Sequence, residues 1–332
     1  MLAYIARRIV TLIPILFLIS VVSFAIIELP PGDWVSRQII NLRNSGIQVS
    51  EDEADRLTKM YGLDQPPTER YFRWMKGILS EGNFGWSFQW NMPVNALLGE
   101  RIPLTMLISV MALLISWLIA IPIGIYSATH QYSTFDYIFT FVGFIGLATP
   151  GFLVALIAAW VIFTATGFSP LGLVSTEFLT EPWTMPKILD AAKHLLLPLF
   201  IIGLSSTGVT IRVMRANLLD ELKKQYVITA RAKGLKELAL LMKYPVRMAV
   251  NPIISTIGWV LPGLISGEVL VSIVLSIQTT GPLLLRAVLE QDMYLAGSII
   301  MILSTLTVIG TLLSDILLAA MDPRIRYGGV AK

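Results

Sequence analysis

Six stretches of this chain are nearly free of charge for about 20 residues, the length a helix needs to cross about 30 Å of hydrocarbon. They run approximately Ile9 to Ile27, Pro103 to Ile125, Tyr137 to Phe163, Leu195 to Ile211, Val250 to Ser272 and Ala296 to Ala320. Pro14, Pro122, Pro150, Pro198 and Pro262 fall inside them, as bilayer helices tolerate where neighbouring groups satisfy the freed carbonyls. Arg7-Arg8 ahead of the first run resembles the start of a signal peptide. The run is 19 uncharged residues long, however, and no small-residue cleavage site follows it, so a retained helix is expected. The pattern predicts an all-α membrane protein of about six transmembrane helices, with both termini on one side.

Composition agrees: 55% of residues are hydrophobic and 14% charged, against roughly 25% charged in soluble domains, and mean hydropathy is +0.71. A net charge of +3 from 25 Lys and Arg against 22 Asp and Glu is too small and dispersed for a nucleic-acid surface. The placement of the positives carries the information. Arg212, Arg215, Lys223, Lys224, Arg231, Lys233, Lys236, Lys243 and Arg247 face only Asp220, Glu221 and Glu237 in one short stretch, which makes it cytoplasmic. Arg7, Arg8, Arg324, Arg326 and Lys332 fall on the same side, so both termini are expected in the cytoplasm. The scheme divides the chain into a first helix (1–30), an external subdomain (31–101), a membrane core with a cytoplasmic loop at about 212–248 (102–321), and a tail (322–332).

In the external segment, Ser50 and Glu53 form a capping-box pattern ahead of a Gly62 stop, so a short helix is expected there. An aromatic stretch, Tyr71 to Ile78, follows Gln65-Pro66-Pro67, and Gly82 to Ser87 reads as a tight turn. Trp86, Phe88 and Trp90 beside that turn are either a satellite core or a docking surface for an external partner.

Catalytic chemistry is missing from the pattern. The absence of Cys removes disulfides and thiolate chemistry, and His130 and His194 have no ligand-like spacing, so no metal site is expected. There is no Gly-Lys pair, hence no phosphate-binding loop, and no nucleophile–base set or dinucleotide glycine fingerprint. This chain is not expected to be an enzyme or to hold a cofactor.

The cytoplasmic loop is more organised than an orientation signal requires. Asn217 to Ala232 is rich in helix formers, Gly234 is placed to stop the helix in the left-handed state, and Leu235 to Met242 begins a second helix. Such an element can act as a lever into a partner protein, or it can simply face anionic lipid. Glu268 lies inside the fifth run, where an ionisable group usually faces a path or an interface. A position near the external end of the span, salt-bridged or wet, is the other reading.

The stretch Tyr226-Val227-Ile228-Thr229-Ala230-Arg231-Ala232-Lys233-Gly234-Leu235 resembles the coupling loop of the dipeptide/oligopeptide class of ABC importer permeases. Six further segments follow the same class in order: Leu29 to Asp33, Tyr61 to Pro66, Gly82 to Ser87, Glu100 to Thr105, His194 to Pro198, and Asp322 to Arg326. The resemblance spans nearly the whole chain. It implies the type I importer permease fold in a bacterial or archaeal inner membrane, a second homologous permease enclosing a central path, two ATP-binding subunits carrying ATP and Mg, and an external solute-binding protein. On that resemblance Thr229, Ala230, Arg231, Ala232, Lys233, Gly234 and Leu235 would couple to the ATPases; from their own chemistry, Glu268 is the candidate for the path or the interface with the second permease, and Trp86, Phe88 and Trp90 are the candidates to dock the binding protein. Tyr244-Pro245-Val246-Arg247, the Glu268 and Ser272 positions, and Thr279-Thr280-Gly281-Pro282 depart from the class pattern. The solute expected is a di- or oligopeptide, with an oligosaccharide as the alternative. A secondary transporter or a membrane receptor would be the rivals from other classes, but no convincing internal repeat is seen and the basic loop has no task in the first of them.

Overall fold

The fold is described from a computed structural model, which covers residues 2–28 and 64–321 and, between them, 35–36, 39–40, 44, 55–56 and 58–59. The expected capping box at Ser50 and Glu53, the Leu29 to Asp33 segment and the tail from Asp322 lie outside the described residues. The described chain is helical apart from loops and one two-stranded antiparallel ribbon. In order come α1 (Leu2–Glu28), α2 (Pro67–Glu81), β1 (Trp86–Ser87), β2 (Met92–Pro93), α3 (Val94–Thr129), α4 (Thr134–Ala148) and α5 (Gly151–Thr166). They are followed by α6 (Met185–Leu222), α7 (Gln225–Ala232), α8 (Glu237–Lys243), α9 (Pro245–Ser255), α10 (Ile257–Val274), α11 (Thr280–Leu289) and α12 (Met293–Met321). Among the described residues, α1, α3, α6 and α12 are each long and apolar enough to cross a membrane.

Two expected spans are broken. The run Tyr137 to Phe163 is two helices, α4 and α5, bent by 102° to one another. Pro150 is the cause. The residue before a proline is pushed out of the α region, and Thr149 sits at φ −94°, ψ 125° with Pro150 opening the next helix. The run Val250 to Ser272 is also divided, between α9 and α10 at Thr256, whose hydroxyl donates to the Ile253 carbonyl at 2.6 Å.

Contacts divide the chain into two units that differ from the linear scheme of first helix, external subdomain and core. One comprises Met1–Arg8, Thr105–Gln278 and Thr307–Lys332. Its organising element is α6, which is crossed closely through small residues. A Cβ on Gly208 would stand 2.6 Å from the Gly143 carbonyl of α4, one on Gly203 3.0 Å from the Ala112 carbonyl of α3, and one on Gly124 of α3 2.6 Å from Met214 Cβ. Where lipid gives no hydrophobic drive between helices, such backbone approach and its dispersion contacts hold them together. Ser206 and Thr207 add hydroxyl bonds to Ser116 at 2.9 and 3.1 Å. Ala128, Met214, Leu218, Val246, Ala249 and Ile253 form the core where α3, α6 and α9 meet. Asp136, at the start of α4, accepts two bonds from Arg215 of α6, at 3.2 and 3.0 Å.

The other unit comprises Ile9–Leu104 and Thr279–Leu306. Its core is Val94, Leu97, Leu98, Leu283, Ala287, Leu295, Ala296 and Ile299, from α3, α11 and α12. The aromatic stretch expected after the prolines is α2: Pro67 opens it and Gly82, at φ 63°, closes it. The expected turn then feeds the ribbon, in which Trp86 pairs with Pro93 and Ser87 with Met92. Asp292 fastens this ribbon to α12. Its fully buried carboxylate accepts from the Ser87 hydroxyl and the Gln89 amide, and caps α12 through the Leu295 amide at 3.3 Å.

Candidate functional site

The basic loop folds as helix, turn and helix, with Gly234 at the turn. Its φ is +77°, the left-handed state expected of it, and a Cβ there would meet nothing within 4 Å. The constraint is therefore backbone strain alone, without crowding. The Gly234 amide donates to the Arg231 carbonyl at 3.0 Å and the Leu235 amide to the Ala230 carbonyl at 3.4 Å, the paired bonds of a Schellman cap. Leu235 then folds back on a small cluster of Val227, Ala230 and Leu240, which ties α7 to α8.

Charge closes the same turn from outside. Arg231 holds Glu237 with two bonds, at 3.1 and 2.6 Å, across the glycine. The guanidinium keeps the Glu237 carboxyl below the ordinary glutamate value. Entry into α7 is pinned by Glu221, which accepts from Lys224 at 2.6 Å and from the Tyr226 hydroxyl. Thr229, Arg231, Ala232, Lys233 and Gly234 are exposed, Leu235 is half-buried and Ala230 is buried. Ile228, Leu238 and Met242 add exposed apolar surface, Leu238 at 74%. These three, and Glu237 as the partner of Arg231, were missed by sequence reasoning. Opposite charges flanking a glycine stop were the legible signal for the pair; the exposed apolar residues read equally well as core.

The remaining candidates do not join this group. Glu268 is 1% exposed and accepts a bond from Ser272 one turn along α10, at 3.2 Å. The carboxyl is thus out of contact with water within this chain. Of the three aromatics, Trp86 alone presents a large open ring, with its indole N–H donating to Asn91. Phe88 is 7% exposed and meets Tyr294 edge to face at 5.5 Å, and Trp90 packs on the core of α3, α11 and α12. Of the two readings of this cluster, the packing of Phe88 and Trp90 agrees with a satellite core, and Trp86 is the ring left open. His194 is buried, with Nδ1 2.9 Å from the Asp190 carbonyl and Phe168 against its ring. Among the described residues no three metal-capable side chains come together.

Residues 120–327 match the family described as the binding-protein-dependent transport system inner membrane component, and residues 1–109 match that system's N-terminal membrane component. The oligopeptide transport system permease protein AppB of Bacillus subtilis is 35% identical over 331 residues, 98% of this chain and 100% of the relative. The peptidoglycan transport system permease protein YejB of Agrobacterium fabrum is 32% identical, with 98% of each chain covered. The dipeptide transport system permease protein DppB of Alkalihalophilus pseudofirmus is 29% identical, covering 98% of this chain and 100% of that one.

Proposed function

Because this chain belongs to the family of binding-protein-dependent transport system inner membrane components, we propose that it forms half of the path by which an ATP-driven importer admits di- or oligopeptides. The observation that carries the solute class is end-to-end similarity to relatives named for oligopeptide and dipeptide transport. A second, similar permease supplies the other half of the path, two cytoplasmic ATP-binding subunits drive it, and an external solute-binding protein delivers the peptide. Both termini lie in the cytoplasm, as the basic segments require.

Residues Thr229 to Leu235 meet an ATPase subunit. The capped turn supports this reading, since two helices fixed by a Schellman cap, a hydrophobic cluster and an ion pair transmit a push as a body. The push reaches α6, a continuous helix of 38 residues that ends three residues before α7. Closure of the ATPases tilts these helices and exposes the path outward, and hydrolysis resets it. Glu268 lines the path or the interface with the second permease. Buried within one chain, it reaches solute only when helices around α10 separate, which is the motion this cycle supplies.

Uptake by the assembled importer tests the reading. Labelled oligopeptide should enter proteoliposomes only with ATP and binding protein, and unlabelled peptide should compete where oligosaccharide does not. Competition by oligosaccharide alone would overturn the peptide assignment.

A further inference from the structure

The unit that holds α2 contains an open apolar groove of about 480 Å³ between α1 and α2, lined by Phe17, Val21, Phe24 and Ala25 on one side and Pro67, Tyr71 and Phe72 on the other. Phe17, Val21, Phe24 and Ala25 all belong to the stretch of α1, Arg8–Ile26, that is long and apolar enough to cross the bilayer. A groove walled by a membrane span opens into hydrocarbon. The wall from α2 must then stand at the same depth: Tyr71 bonds to Ser20 at 2.8 Å and meets Phe24 edge to face at 5.5 Å. At its rim Glu28 pairs with the buried Arg70 at 2.6 Å, which keeps both charges out of the apolar wall.

The outer face of α2 continues this surface. Phe72 is 69% exposed and Leu79 80% exposed, seven residues or about two turns apart on one stripe. Exposed Arg73 stands about 100° round the helix beside that stripe, and exposed Lys76 lies on it between the two, where its long stem lets the ammonium reach the headgroup layer. An apolar stripe edged by cations is the pattern of a helix lying in a bilayer interface. Along α1, Phe17 to Glu28 spans about 16 Å at 1.5 Å per residue, close to half of the roughly 30 Å hydrocarbon core. The groove thus has the length of one leaflet.

We propose that this groove is a phospholipid site, in which one acyl chain lies along α1 from Phe17 toward Glu28 and α2 rests in the headgroup layer with Phe72 and Leu79 immersed. The occupant is lipid because the groove is continuous with the bilayer-facing surface of α1, where Phe17, Leu18 and Val22 are also exposed. The segment expected to be wholly external is on this account partly a membrane-surface element.

The chain has no cysteine, so single nitroxide labels can be placed without background. With Phe72→Cys, Leu79→Cys and Glu81→Cys in the assembled importer in phosphatidylethanolamine–phosphatidylglycerol vesicles, labels at 72 and 79 should collide several-fold more often with oxygen than with a water-soluble nickel chelate. The label at 81, exposed on the opposite face of α2, should show the reverse. Nickel-dominated collisions at 72 would place α2 in water, and protection from both reagents would mean a protein partner covers the groove; either result overturns the proposal. A phospholipid carrying a diazirine in its acyl chain should label residues 67–72. Ala25→Trp, at an exposed position on the groove wall, should cut that labelling several-fold and leave labelling of residues 9–15 unchanged. Equal labelling of 67–72 in both proteins would also overturn it.

Discussion

At Gly234 a single backbone angle, φ +77° with open space where a Cβ would go, decides what can be substituted. The left-handed state costs a residue with a side chain about 1–2 kcal/mol, and Asn is among the few that visit it routinely. Gly234→Val should therefore cut ATP-driven uptake severely while the complex still assembles, and Gly234→Asn should retain most of it. A uptake assay paired with subunit pull-down separates these outcomes. Arg231 and Glu237 work on the same turn. Because the Glu237 carboxyl titrates below its ordinary value, the pair's contribution is present above the ordinary glutamate range and is lost as pH falls through the lower, folded value. Both side chains are about half exposed, so screening keeps the effect small. Glu237→Gln should accordingly match the wild type below that window and differ slightly above it, as read by amide exchange in α8. The glycine stop was legible because a lone glycine after a helical run has few other uses. Glu237 was not singled out, since a surface acid has many possible partners until the turn brings one near.

Helix crossings were less legible than helices. Four of the six apolar runs fall on helices long enough to cross a membrane and a fifth on the bent pair α4 and α5, but nothing in an apolar run tells a straight helix from one bent at Pro150, because Pro14 and Pro198 lie within continuous helices. The difference lies in the backbone at Thr149, which leaves the α region ahead of Pro150. Gly143 and Gly208 also carried no signal alone; their meaning is that α4 and α6 touch there. Gly208→Leu should force the helices apart and cost about 1–3 kcal/mol or more in stability, seen as a lower unfolding temperature in detergent. Gly234→Val, where nothing crowds the site, should lower that temperature less, through the strain of the left-handed turn alone. Asp292 makes a further element-scale case. Burial raises its carboxyl above the ordinary aspartate value despite its hydrogen bonds, so its favourable contribution is full below that value and declines as pH rises through the folded one. Asp292→Asn should flatten this pH dependence of thermal unfolding, whereas Asp292→Ala should cost about 1–2 kcal/mol through the lost cap.

On the scale of the whole molecule, the all-helical membrane architecture follows from the run lengths, and the family membership agrees with the motifs in register along the chain. The aromatic cluster after Gly82 reads two ways in sequence, because Phe88 and Trp90 look the same there whether the turn between the two short strands directs them in or out. The structure leaves Trp86 as the exposed member, so Trp86→Ala should weaken stimulation of the ATPase by binding protein, and Phe88→Ala should instead lower stability by about 3–5 kcal/mol. The central claim, that this chain couples a peptide path to ATPases through the turn at Gly234, is tested most directly by uptake of labelled oligopeptide into proteoliposomes holding the complete importer. The account predicts uptake that requires ATP and binding protein and that collapses with Gly234→Val in a fully assembled complex. Undiminished uptake by that variant, or uptake by this chain without its ATPase partners, would contradict it.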